Sequence, residues 1–80
     1  MADKKQLKIL KQGVHVWNTW WDKNRTVHVD LSKTDLANAD LSGAILRGVD
    51  LRGTLVVGAN LRGAILSLAD LSDAVLLTPS

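Results

Sequence analysis

The sequence predicts a repeat protein led by a short helical segment, and three observations carry that expectation. Apolar residues return at every fifth position from Leu31 to Leu76. The first 28 residues space them instead by three and four. All eight acidic residues are Asp, with no Glu anywhere. Asp prefers turns and caps where Glu suits helix interiors, so a helix bundle is disfavoured. Eighty residues suit one domain with a small or shared core. That core is aliphatic, because there are fourteen Leu, no Phe and no Tyr, and the three Trp all lie between Trp17 and Trp21.

The leading segment, residues 1–28, carries Lys4, Lys5, Lys8, Lys11, Lys23 and Arg25 against Asp3 and Asp22, whereas residues 29–80 have more acids than bases. Leu7, Leu10, Val14, Trp17 and Trp21 fall on one face of a helix, with the lysines largely elsewhere. Asp3 suits its N-cap. Gly13 is unfavourable in a helix interior by about 1 kcal/mol, which leaves one helix or two open. This segment is expected to cap the repeats, with Leu10, Val14, Trp17 and at least one of Trp20 and Trp21 packed on the first coil.

The period of five spans residues 29–78 and fits neither a strand nor a helix. Leu or Val stands at each of ten beats. Two places earlier comes a small or β-branched residue, as at Val29, Thr34, Ala39 and Ala44. Two places later comes a turn residue, which is Gly at five consecutive beats from Gly43 to Gly63. If the chain turns a corner at each unit, the Leu and the small residue point inward, and coils stacked at the β spacing satisfy each other's backbone groups. Units four apart then stack. Identical small residues at a spacing of twenty, such as Val29 with Val49 and Thr34 with Thr54, agree.

Units such as Ala39-Asp40-Leu41-Ser42-Gly43, Val49-Asp50-Leu51-Arg52-Gly53 and Ala59-Asn60-Leu61-Arg62-Gly63 resemble the A(D/N)LxG signature of the pentapeptide repeat family. The stretch Gly13-Val14-His15-Val16-Trp17-Asn18-Thr19-Trp20 resembles a leader that precedes the repeats in bacterial, notably cyanobacterial, members. The resemblance implies a mainly β fold: a right-handed quadrilateral β-helix, here of about two and a half coils, with the N-terminal segment as an α-helical cap.

On such a square the first side carries Asp30, Asp50 and Asp70, and the third carries Asp40 and Asn60. The second carries Leu55 and Val57 beneath Val75 and Leu77, and the fourth, opposite it, carries Ile45 and Ile65 with Leu68 beside them. The family's usual Asp or Asn is replaced at Ile45, Leu55, Ile65 and Val75. Isolated aliphatics can simply stiffen such a surface. Grouped in rows, these residues read as an interface. The repeats run to Thr78, so Leu61, Leu66, Leu71 and Leu76 are expected to keep one side open as an assembly surface, most simply in a two-fold homodimer.

Other chemistry is sparse. His15 and His28 are the only histidines and there is no Cys, so no disulfide or thiolate site exists, no metal or other cofactor is expected, and no catalytic group is assigned. A soluble cytoplasmic protein is the default, without signal peptide or membrane span. The expected function is that of a non-enzymatic structural or protein-interaction module that binds copies of itself or another protein. Two alternatives accompany it. Some family members resemble duplex DNA and occupy the DNA site of gyrase, although Arg47, Arg52 and Arg62 interrupt the acidic pattern here. The lysines and Trp cluster also suit a membrane-surface helix.

Overall fold

In the computed structural model, residues 2–75 are described. Two helices come first, α1 (Lys4–Lys11) and α2 (Val14–Lys23). The Asp3 carboxylate caps α1 by accepting from the Lys5 and Gln6 backbone N–H groups at 2.9 and 3.1 Å. Gly13 resolves the choice between one helix and two. It stands between the helices at φ 119°, a conformation that interrupts the α-helical path and lets α2 turn back against α1.

From Asp30 onward the chain turns a corner every five residues and joins itself through single parallel bridges, including Asp30 with Asp50, Asp35 with Leu55, Asp40 with Asn60 and Ile45 with Ile65. Each bridge spans twenty residues, so one turn has four sides. At each bridge the upper residue points both backbone groups down: Asp50 N–H donates to Val29 O at 3.0 Å, and Asp50 O accepts from Leu31 N–H at 2.8 Å. The corners lie in the left-handed region, from Lys33 (φ 56°) and Asn38 (φ 62°) through the glycines to Leu68 (φ 62°) and Asp73 (φ 60°).

This geometry corrects the expected mainly β class. The described residues contain no β-strand and no sheet, so the quadrilateral β-helix expected from the resemblance is not what forms; the only extended secondary structure is helical. The cause is local. A left-handed corner comes within three residues of every bridge, so two successive residues never pair in a ladder and each side contributes one bridging residue.

Inside the turns, Leu31, Leu36, Leu41, Leu46, Leu51 and Val56 are buried, with Val29, Ala44 and Val49 between them. The small positions carry polarity only where the backbone can use it. Thr34 and Thr54 are buried and donate their hydroxyls to Leu31 O and Leu51 O at 2.8 and 2.9 Å. Burial declines along the chain, so Leu61, Leu66 and Leu71 are only partly covered.

Candidate interaction surfaces

The first surface is the junction of the helices with the first turn, where Leu10 and Trp17 are buried and Val14, Trp20 and Trp21 pack against them. The Trp17 and Trp20 rings lie 5.2 Å apart. Apolar contact is half of the junction. Asp30 and Ile45 also present downward backbone groups that a preceding turn would satisfy, and α1 and α2 satisfy them with side chains. Gln6 Oε1 accepts from Asp30 N–H at 2.9 Å and its Nε2 donates to His28 O at 3.0 Å. Asn18 Oδ1 accepts from Ile45 N–H at 2.9 Å and its Nδ2 donates to Gly43 O at 3.0 Å. Trp17 Nε1 donates to Ile45 O at 2.8 Å, and Asp3 N–H donates to Asp30 O at 2.9 Å.

Gln6 and Asn18 are not among the residues the sequence pattern assigns to the cap. Their signal is present in the spacing: each is four residues from an apolar contact residue, Gln6 from Leu10 and Asn18 from Val14, so each is a polar residue on a helix's inward face.

The second surface is acidic and lies on sides one and three. The hydroxyl and backbone N–H of Ser32 both bond Asp30 Oδ1, at 2.6 and 2.9 Å, and Ser42 and Ser72 repeat this on Asp40 and Asp70. These bonds hold the three carboxyls below the usual Asp range. Asp50 is lowered by the Arg52 guanidinium, which pairs with it through two 2.9 Å bonds, and by the Arg52 backbone N–H.

The third surface is apolar and has two parts. Leu55 and Val75 are bridged in one column on side two, with Val57 partly buried beside them; Ile45 and Ile65 form the column on side four. Ile45 is partly covered, Ile65 is 46% exposed, and Leu68 at the adjoining corner is 80% exposed. Leu68 lines a recess of about 320 Å³ together with Trp21, Arg25, Arg47 and Gly48. Leu76 and Leu77, expected in the same interfaces, lie outside the described residues.

Elsewhere, His15 is exposed and lines an open recess with Val16, Thr19, Trp20, Lys23 and Asn24, and the exposed His28 contributes its carbonyl to Gln6. Among the described residues no three His, Cys, Asp or Glu converge, and no helix is long and apolar enough to cross a membrane.

A chain that turns a corner at every fifth residue and pairs each turn with the next defines a repeat protein whose unit is the pentapeptide. This chain belongs to the pentapeptide repeat family, whose repeat matches residues 27–56 and 57–76 in eight copies. Membership places it among structural and protein-interaction modules. Neither a curated protein nor a solved structure matches it.

Proposed function

We propose that the protein is a non-enzymatic structural module that binds copies of itself, through the edge of its last described turn and through its apolar sides. The observation that carries this reading is the chemistry of that edge. Among the described residues, the N–H groups of Leu66, Leu68, Leu71 and Asp73 and the carbonyls of Ala64 and Ala69 have no partner, although the corresponding groups one turn earlier are all paired. An edge of unpaired donors and acceptors beside partly covered Leu66 and Leu71 is a template for another chain.

Two features favour this reading over its alternatives. Trp17 is fully buried and Leu10 nearly so, which leaves the helices little apolar face to lay on a membrane. Arg52 is clamped on Asp50 in the middle of the acidic column, which lowers that side's charge and weakens any likeness to a phosphate backbone.

Sedimentation equilibrium tests the reading. An oligomer is expected at micromolar concentration, and a soluble capping helix fused after Ser80 is expected to reduce its mass. A folded monomer at these concentrations, or an oligomer that ignores the added cap, rejects the edge as the contact.

A further inference from the structure

Sides two and four are both apolar, lie on opposite flanks of each turn, and differ in one respect. Side two carries an exposed acid, Asp35, and side four an exposed base, Arg47. Among the described residues neither takes part in an ion pair; the two pairs present are Arg25 with Asp22 and Arg52 with Asp50. Among the described residues the Asp35 carboxylate bonds only the Ala37 backbone N–H, at 3.0 Å.

Opposite sides of a closed turn run in opposite directions. Side two runs from Asp35 to Ala37, and side four returns from Ile45 to Arg47. A second copy displaced sideways without rotation therefore sets its Arg47 against the first copy's Asp35, and its Ile45 against Ala37. One level up, the same displacement sets Ile65 against Val57 and brings Leu68 beside Leu55. Charge meets opposite charge on the lower level, and aliphatic meets aliphatic on both, with Ser67 the one polar residue set against Leu55. The alternative of side two against side two offers Asp35 no partner, because side two carries no base.

Leu68 adds an independent reason. It is an aliphatic residue in a left-handed corner where the residue one turn below is Gly48, and it is 80% exposed. Both features are unfavourable in the isolated chain. Cover from a second copy offsets the second of them.

We infer that the protein associates side by side in a heterologous contact, side four of one copy on side two of the next, with Arg47 paired to Asp35 across it. Such a contact leaves a free face at each end and builds open rows, unlike a two-fold dimer. This rests on the self-association reading above and gives its apolar sides a register, separate from the contact at the turn edge.

The chain has no cysteine, which makes the test clean. Asp35→Cys and Arg47→Cys are placed on separate, size-tagged chains, mixed and mildly oxidised. The 35–47 disulfide between unlike chains is expected to dominate over 35–35 and 47–47 products, and the double variant is expected to give a ladder of covalent multimers. Without oxidation, Arg47→Glu, which alters one exposed side chain, is expected to weaken lateral association by about tenfold. Predominant 35–35 or 47–47 products, a double variant that stops at dimers, or no cross-link overturns the row. If the unmodified chain still sediments as an oligomer in that case, association through the turn edge stands; if it is monomeric, both fall together.

Discussion

Gln6 and Asn18, on different helices, perform the same act with the same functional group. Each carboxamide accepts from one backbone N–H of the first turn and donates to the carbonyl two residues earlier, Asp30 and His28 for Gln6, Ile45 and Gly43 for Asn18. The two side chains thereby stand in for a preceding turn on sides one and four. On sides two and three no described residue pairs the Asp35 or Asp40 N–H, so the imitation covers half the perimeter.

Replacing Gln6 by Leu keeps the volume of a side chain only 5% exposed but strands two backbone groups. A loss of about 2–3 kcal/mol in urea unfolding is expected, with faster hydrogen exchange at Asp30. Asn18→Ala is expected to cost about 1–2 kcal/mol and to expose the Ile45 amide in the same way. Unchanged exchange at either amide would show that the carboxamide is not what protects it.

Trp17 combines complete burial with a donated bond to Ile45 O. Trp17→Phe keeps most of the ring and loses the bond, for an expected cost of about 1–3 kcal/mol. Trp17→Ala adds a cavity and is expected to cost about 3–5 kcal/mol. Removing residues 1–26 uncovers the Leu31, Leu36 and Leu41 layer and is expected to give an aggregating chain without a cooperative melt.

Acid is expected to destabilise the protein through Asp30, Asp40, Asp50 and Asp70. Their folded values lie below the unfolded one of about 3.9, so the stabilisation is fully present above that pH and is lost as pH falls through the folded values. The melting temperature should be nearly flat from pH 7 to about 5 and then fall. Changing the four residues to Asn should flatten the acid limb while keeping the turns, because Asn60 already accepts from Arg62 N–H at 3.1 Å as the aspartates do from theirs.

Leu68→Asn should stabilise the monomer. Asn adopts the left-handed region more readily than Leu, as Asn38 does here, and little buried surface is lost at a side chain 80% exposed. A gain of about 0.5–1 kcal/mol is expected in dilute solution, where no second copy covers the site. A lower melting temperature there would show that Leu68 contributes contacts within its own chain.

Much of this architecture is legible in the sequence because its signals are repeated. The corners derive from the five-residue beat, and the burial of Leu31 through Leu51 derives from the apolar residue in each unit. The Asp3 cap and the inward placement of Leu10 and Trp17 come from helical spacing. The absence of strands is not legible, since it depends on how many residues of each side pair before the next left-handed corner. Nor are the roles of Gln6 and Asn18, because a carboxamide on an apolar helix face states that it needs a partner without stating which. The decline in burial toward Leu71 reflects what lies on each side of a layer, a property of position in the stack that identical repeats do not encode.

The helical cap has a consequence for how the protein comes into being during synthesis. It leaves the ribosome before the repeats, and its backbone and side-chain groups, including Gln6 and Asn18, are ready when residues 28–45 emerge. Each later turn then finds its mould already made by the one before, and every new pairing closes a loop of only about twenty residues. Growth directed from one end gives the chain a folding polarity, so a defect near Asp30 should delay everything after it, while a defect near Asp70 should leave the earlier turns intact.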